Sequence, residues 1–345
     1  MKNSPVTIKD LARIAGVSHS TVSRALRNHP AIAPETVERI RALAAEKGYR
    51  VSAAARSLKT SRSQAIGIIL SYIDDPYFSR VLEGVEDTVQ PEGYGLFVAA
   101  SHHDVEREQV AVTAMMEHRV DGVILCTPPF RIEHSRQMEG SGLPLAVVNN
   151  QGVDGYDYSV DHDDEQGARQ VVRYLIGQGH RRLGYLGNAL SGLTNQNRQS
   201  GFRAEMEAAG LPVCPGAVFN GPDGRPEGGY AGAHYFLDLP ERPSAIVCFN
   251  DMMAIGLIRG LQDAGLSIPQ DISVTGFDDI DLAAYLTPPL TTYRQPRYEL
   301  GVEAARLMLR LLSVKTGDAL PEPEHIYLQG RLVIRASTSR SSTSN

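Results

Sequence analysis

The first residues of the chain show the pattern of two short amphipathic helices. Apolar positions recur every three or four residues over 8–15 and again over 22–26. Thr7 and Asp10 have the spacing of a capping box, which predicts that the first helix begins between them. Gly16 can end that helix because glycine adopts positive φ without strain. Two short helices joined by a tight glycine turn are typical of a helix-turn-helix.

The second of these helices is predicted to have a polar and basic outward face. Ser18 can cap it, and the side chains opposite its apolar face are His19, Ser20, Thr21, Ser23, Arg24 and Arg27. A helix that enters the major groove of DNA needs such a face. An ordinary helical hairpin would not need it, so we interpret this helix as a DNA-reading element.

Two further segments complete the N-terminal region. Apolar periodicity predicts a third helix from Pro34 to Lys47, with Gly48 as its end. Ser52 can cap a short helix that reaches Leu58. That helix is too short to be stable alone in water, so we expect it to fold only when something supports it.

From residue 64 onward, short apolar runs alternate with helical periodicity. The runs are Ile66–Leu70, Gly95–Ala99, Gly122–Leu125, Leu145–Val148, Leu183–Leu186, Ala245–Cys248 and Ile272–Thr275. This alternation predicts parallel α/β structure. We interpret it as two lobes, with the second beginning near Gly167.

Polar residues follow several of these runs, where ligands of open α/β sheets bind. They are Ser71, Tyr72, Asn149, Asn150, Asn250, Asp251, Asp278 and Asp279, and Arg198 is predicted near a helix start. Amides, carboxylates and one guanidinium suit a ligand rich in hydroxyl groups, since a hydroxyl both donates and accepts hydrogen bonds. For each residue singly, a strand-end cap is an equally good interpretation.

Charge is distributed unevenly along the 345 residues. Residues 1–63 contain 12 Lys and Arg against four Asp and Glu, a net charge of +8, and the rest of the chain carries −14. A basic segment on an acidic body indicates a polyanion partner, although a solvated basic surface would give the same count. Three distant cysteines favour neither disulfides nor zinc, and the N-terminus has no apolar signal-peptide core. We therefore expect a cytoplasmic protein without a membrane partner.

The N-terminal motifs "VTIKDLARIAGVSHSTVSRAL", "PETVERIRALAAEKGYR" and "AARSLKTSRSQAIGIIL" resemble the lactose-repressor/galactose-repressor (LacI/GalR) family. The resemblance implies an all-α helix-turn-helix head over 1–50 and a hinge helix or linker over 51–63. It then implies a two-lobed α/β sensor like a periplasmic binding protein over 64–336. We place the N-lobe at about 64–164 plus 294–322 and the C-lobe at about 165–293 plus 323–336. We expect a disordered tail over 337–345.

The same resemblance assigns DNA contacts. It implies base-reading positions at His19, Ser20 and Arg24, and a minor-groove wedge at Leu58 with Lys59 beside it. The full DNA-binding set that we predict is Thr7, His19, Ser20, Thr21, Ser23, Arg24, Arg27, Ala55, Leu58 and Lys59. The chain departs from the family pattern at Val51, where proline is usual, and at Ala33, where a Ser cap is common.

The motifs "RQSGF", "FND" and "GFDD" resemble the effector-binding segments of the same family. The resemblance implies effector contacts from Arg198, Asn250 and Asp278. The effector-binding set that we predict is Ser71, Tyr72, Phe78, Asn149, Arg198, Asn250 and Asp278. We expect a homodimeric repressor that binds a two-fold double-stranded DNA operator and responds to a sugar-like effector.

Three alternatives are weighed against this prediction. An enzyme would need a catalytic or cofactor motif. The chain contains no phosphate loop, no Gly-x-Ser-x-Gly and no His-Glu-x-x-His, and no Gly-x-Gly-x-x-Gly follows its first strand. His102–Asp104 is better interpreted as a solvated loop and helix cap, and Asp161–Asp164 as capping in place of a cation site. We therefore predict no enzyme, cofactor or metal.

A free sugar-binding protein would lack the basic head. A nucleobase sensor of the same family stays open, with Tyr72, Phe78 and Tyr156 as possible ring walls.

Overall fold

The computed structural model describes residues 6–26, 28–49, 62–126, 132–149, 155–314 and 318–341. Backbone contacts divide the chain into one unit over 1–63 and a second over 64–345. Four predicted DNA-binding residues lie outside the described residues: Arg27, Ala55, Leu58 and Lys59.

The N-terminal unit contains three short helices. They are α1 (Ile8–Ala15), α2 (His19–Ala25) and α3 (Pro34–Glu46). One side chain from each helix is fully buried at their centre, namely Leu11, Val22 and Ile40. These are the positions that the apolar periodicity marks as inward, so the predicted helix-turn-helix is confirmed.

Local side-chain bonds set the helix ends in this unit. The Thr7 hydroxyl accepts from the Asp10 N–H at 3.3 Å, and the Asp10 carboxylate accepts from the Thr7 N–H at 3.0 Å, which confirms the capping box. Gly16 follows α1 with φ +66°. Ser18 caps α2 by accepting from the Thr21 N–H at 3.1 Å. No side chain caps α3 at Ala33.

The first lobe of the second unit is a six-stranded parallel sheet with helices on its faces. Its strands are β1 (Ala65–Leu70), β2 (Gly95–Ala100), β3 (Gly122–Cys126), β4 (Leu145–Val148), β5 (Tyr158–His162) and β11 (Glu324–Leu328). Their spatial order is β11-β5-β4-β3-β1-β2. Its helices are α4 (Pro76–Val89), α5 (Val105–Glu117), α6 (Ile132–Gly140) and α11 (Arg297–Ser313).

The second lobe repeats this arrangement. Its strands are β6 (Leu183–Asn188), β7 (Val218–Gly221), β8 (Ala245–Cys248), β9 (Ser273–Asp278), β10 (Thr291–Arg294) and β12 (Arg331–Val333), in the order β12-β10-β9-β8-β6-β7. Only β12 pairs antiparallel among these described strands. Its helices are α7 (Asp164–Gly177), α8 (Gly192–Ala208), α9 (Pro226–Leu237) and α10 (Asp251–Asp263), with a 3₁₀ turn at Asp281–Ala284. The parallel α/β prediction is confirmed.

The chain crosses between the lobes three times, and one predicted lobe boundary is wrong. The crossings lie between β5 and α7, between β10 and α11, and between β11 and β12. Our prediction placed 323–336 wholly in the second lobe. Glu324–Leu328 instead pairs in parallel with Tyr158–His162 in the first sheet. A half-exposed edge strand carries no local signal of its partner, because the pairing spans more than 160 residues.

The prediction of a disordered tail over 337–345 is wrong for its first part. Ser337 is fully buried, its hydroxyl donates to the Val274 carbonyl at 2.6 Å, and it accepts from the Thr291 N–H at 2.8 Å. The Ser341 N–H donates to the Gln178 carbonyl at 2.9 Å. These polar residues are ordered by backbone groups of the second lobe in place of apolar burial. Residues 342–345 lie outside the described range.

A close helix contact fixes the start of α9. Gly256 of α10 packs against the Pro226 carbonyl so closely that an added Cβ would overlap it. The corresponding contact from α9 places Gly229 against the Met253 carbonyl. Glycine is required at both positions because no side chain fits between the backbones. The loop before Pro226 is thereby held in place. Among the described helices, none is long and apolar enough to span a bilayer.

Candidate functional site

The N-terminal unit presents the predicted reading face of α2 to solvent. His19, Ser20 and Arg24 are exposed, whereas Thr21 and Ser23 are half-buried. Thr7 is exposed and belongs to the capping box of α1. The exposed set therefore combines short polar donors with one flexible cation, which is the chemistry that reads base edges.

A cavity lies between the two lobes of the second unit. It encloses about 900 Å³ including its open mouth. All seven residues predicted to bind an effector line it: Ser71, Tyr72, Phe78, Asn149, Arg198, Asn250 and Asp278. Four come from the first lobe and three from the second, so a ligand here would contact both lobes at once.

Arg198 is the central cation of the cavity and is almost fully buried. Its Nε donates to Asp164 at 2.6 Å, and its Nη1 donates to the Phe249 carbonyl at 2.5 Å. Its guanidinium lies 4.5 Å from the ring centroid of Phe249 and 3.8 Å from that of Phe277. These contacts fix the guanidinium plane. The predicted helix start at Arg198 is wrong, because α8 begins at Gly192 and the polar sequence "GLTNQN" has no clear apolar periodicity.

Asp164 holds the central cation of the cavity in place, a role that the sequence did not reveal. Its side chain is fully buried at the start of α7, where it pairs with Arg198. We interpreted this segment as helix capping, which Asp163 performs by accepting from the Gln166 N–H at 2.8 Å. Asp164 has a different role, since its carboxylate neutralises a buried guanidinium. No described cluster of His, Cys, Asp and Glu could hold a metal ion.

Asp278 ends strand β9 inside the cavity with φ +119°, a backbone conformation that residues other than glycine rarely adopt. Burial raises the pKa of its carboxyl well above the usual range, although Arg198 opposes this effect. The Gln295 amide donates to its Oδ1 at 2.5 Å, and Arg198 Nη1 lies 3.9 Å from the same oxygen. Gln295 was also missed, because it follows β10, a strand that no apolar run marked.

The other acidic residues after these strands lie outside the cavity lining. Asp279 forms ion pairs with Arg294 at 2.5 Å and Arg335 at 2.6 Å. Asp251 is fully buried and accepts from the Thr292 hydroxyl at 2.5 Å. Both side chains bond to other residues of the second lobe beside the site.

Asn250 anchors a loop at the cavity mouth. Its amide donates to the Gly224 carbonyl at 3.0 Å, and its oxygen caps α10 by accepting from the Met253 N–H at 2.8 Å. Arg225 follows Gly224 in this loop and forms an ion pair across the cleft with Asp74 of the first lobe. The Nη2–Oδ2 distance is 2.6 Å and the Nη1–Oδ1 distance is 3.4 Å. Sequence reasoning missed this ion pair because its partners are 151 residues apart.

The first lobe contributes amide and hydroxyl groups. The Asn149 amide donates to the Tyr77 hydroxyl at 2.5 Å. Asn149 Oδ1 is buried without a hydrogen-bond partner among the described residues, which leaves an acceptor for a ligand hydroxyl. Ser71 is buried beside them.

Aromatic rings form part of the wall. Phe78 is buried, and Tyr72 packs edge-on against His103 with ring centroids 5.6 Å apart. His103 lines the cavity and is half-buried, so the interpretation of both histidines as solvated loop residues is wrong for this one. Asp104 caps α5, as expected. Tyr156 packs in the core of the first lobe and does not line the cavity.

Comparison with protein-family models gives two matches. Residues 7–52 match the model of bacterial regulatory proteins of the lacI family, and residues 172–338 match the model of a periplasmic binding protein-like domain. Among curated relatives, the HTH-type transcriptional repressor PurR of Actinobacillus pleuropneumoniae is 32% identical over 331 residues, covering 96% of this chain and 98% of that protein.

Solved structures agree with these matches. The lac repressor dimer bound to operator and the anti-inducer ONPF aligns with a TM-score of 0.85 and 26% identity, covering 97% of this chain and 100% of that one. A LacI family transcriptional regulator from Enterococcus faecium with bound ribose aligns with a TM-score of 0.72 and 26% identity, covering 81% and 100% of the two chains.

Proposed function

The chain belongs to the lacI family of bacterial regulatory proteins, and from this we propose that it is a transcriptional repressor whose operator affinity is set by a small molecule bound between its two lobes. The observation that carries the proposal is that all seven residues predicted to bind an effector line one cavity between the lobes. The family is one of DNA-binding regulators and not of enzymes.

We propose that α2 reads the major groove through His19, Ser20 and Arg24, with Thr21 and Ser23 beside them. The exposure of the first three supports this role. We assign Arg27, Ala55, Leu58 and Lys59 to DNA contacts from the family resemblance alone.

The proposed mechanism is thermodynamic linkage. A ligand that contacts Asn149 of one lobe and Arg198 of the other favours one relative position of the lobes. Any effect of that position on operator binding appears reciprocally in effector affinity. We infer a homodimer because one recognition helix reads only a few base pairs and two-fold operators match two-fold proteins. We propose a cytoplasmic location, because that is where an operator would be bound.

For the effector we propose a sugar or a sugar derivative. Hydroxyl groups suit Asn149, Arg198, Asn250 and Asp278, which together offer both donors and acceptors. A nucleobase is the second candidate, and it is supported by the Phe78 wall. It has less support than the sugar, because Tyr156 lies in the core.

Selection of operators from random DNA with the full chain tests the DNA-binding role. On the selected operator, Arg24→Ala should weaken specific binding by about 1–3 kcal/mol and relax base preference. Arg41→Ala removes a cation of α3 that is also exposed and serves as the matched control, with a smaller and sequence-independent loss of affinity. An unchanged ratio of specific to random-DNA affinity in Arg24→Ala would contradict the assignment of α2.

A further inference from the structure

Among the described residues, each arginine that lines the cavity is already paired with a carboxylate. The charged side chains that line it, apart from His103, are Asp74, Asp75, Asp278, Arg198 and Arg225. Arg198 is bonded to Asp164 and to a carbonyl, and Arg225 is bonded to Asp74. Burial lowers the pKa of His103, which favours its neutral form. Each arginine is therefore neutralised before any ligand arrives.

Among the described residues, Asp75 has no ion-pair partner, and Asp278 shares Arg198 with Asp164. Asp75 caps α4, and its Oδ1 accepts from the Tyr77 N–H at 2.9 Å. Within the described residues, no basic side chain forms an ion pair with Asp75. Asp278 on the other lobe receives the Gln295 amide, with the Arg198 guanidinium at 3.9 Å. The two carboxyls are close enough that Asp75 contributes to raising the pKa of Asp278.

A further cation near the cavity, Arg297, already bonds to groups outside it. Arg297 donates to the Pro76 carbonyl at 3.2 Å and to the Asp279 carbonyl at 2.6 Å, and it lies 3.7 Å from the Asp281 carboxylate. It does not line the cavity. Arg297 is therefore held outside the cavity by its other bonds.

On the basis of the proposed effector cleft, we infer that this cavity selects a polyhydroxylated ligand without a negative charge. Asp74 excludes anions because it occupies Arg225. A guanidinium is the side chain best suited to a phosphate or carboxylate, and Arg225 is the more exposed of the two that line the cavity. With Arg225 paired, an anion that enters the cavity would lose its hydration and gain no unpaired cation in exchange. Hydroxyl groups instead donate to the carboxyl oxygens of Asp75 and Asp278.

Calorimetric titration of the full chain with matched pairs of probes tests the selectivity. The pairs are ribose with ribose 5-phosphate, and glucose with glucose 6-phosphate and with gluconate. We expect a neutral member to bind and its anionic counterpart to bind at least about 100-fold more weakly. An anionic member that binds as tightly as its neutral counterpart overturns the inference while leaving the effector cleft intact. A panel in which no neutral member binds also overturns it, and the operator assay then judges the proposed function separately.

Asp74→Asn tests the residue itself, because Asp74 is 65% exposed at its side chain and its loss should not unfold the protein. The variant leaves Arg225 unpaired, and we expect it to bind inorganic phosphate that the wild-type chain does not bind. Glu83→Gln is the matched control, since it frees Arg80 from a surface ion pair outside the cavity. The double variant Asp74→Asn/Arg225→Gln should lose the gained binding. Equal phosphate binding by Asp74→Asn and Glu83→Gln would show that Asp74 does not control anion entry.

Discussion

Replacement of Arg198 by alanine should destabilise the second unit even when no ligand is present. Arg198 and Asp164 are a buried pair, with exposed side-chain fractions of 5% and 0%. Removal of the guanidinium leaves the Asp164 carboxylate buried without its cation. Breaking such a pair from one side costs about 3–5 kcal/mol. The loss of ring contacts with Phe249 and Phe277 acts in the same direction.

Urea unfolding followed by circular dichroism measures this cost, and thermal unfolding should show a fall in Tm of roughly 6–20 °C. Asp164→Ala and the double variant complete a double-mutant cycle. We expect the double variant to be more stable than the sum of the single losses predicts, by at least about 1 kcal/mol, because removing both partners leaves no unpaired charge.

The matched control is Arg259→Ala. Arg259 pairs with Asp263 on the surface of α10 and is 71% exposed at its side chain. Its loss should cost no more than about 1 kcal/mol. If Arg198→Ala were as mild as this control, or if the losses from Arg198→Ala and Asp164→Ala were additive, the buried-pair reasoning would be refuted. A missing effector response in Arg198→Ala therefore identifies a ligand contact only if the variant is folded.

Three further predictions follow from the geometry. Gly256→Ala should lower the free energy of unfolding by about 1–3 kcal/mol, because the added Cβ overlaps the Pro226 carbonyl. Gly177→Ala, in open space within α7, should raise it by about 0.4–1 kcal/mol. Equal urea midpoints of the two variants would contradict this. Thr7→Ala removes the α1 cap and should cost the N-terminal unit about 1 kcal/mol, seen as faster hydrogen exchange of α1 amides; unchanged exchange would rule out a stabilising cap. Burial raises the pKa of Asp251 to about 7, so the folded chain holds an extra proton between about pH 4 and pH 7. The stability that this bound proton contributes is lost as pH rises through 7. Asp251→Asn should therefore flatten that part of the pH profile of urea unfolding. Identical profiles for the variant and the wild type would refute the prediction.

Local sequence determined the helix-turn-helix. Its helix ends depend on contacts over three residues, such as Thr7 with Asp10 and Ser18 with Thr21. The apolar period marked Leu11 and Val22 as core positions because burial of one helix face requires that spacing. Such information is contained within one or two helical turns, so it can be read without knowledge of the fold.

The positions of the cavity residues could also be predicted. Ser71, Asn149 and Asn250 follow apolar runs, and the carboxyl ends of parallel strands open toward one cleft. Arg198 could not be found in that way, since it lies in the middle of α8 and was identified through its motif. The sequence did not show which groups of the protein these residues bond to.

Tertiary structure alone decided the remaining features. The pairing of Glu324–Leu328 with Tyr158–His162, and the burial of Ser337 beneath Thr291, join segments far apart in the chain. The same holds for the charge state of the cavity. Whether Arg225 is available to a ligand depends on Asp74, which lies in the other lobe and 151 residues away. Sequence patterns identify the groups a chain carries, but electrostatic neutralisation depends on distance in space, and only the folded protein sets that distance.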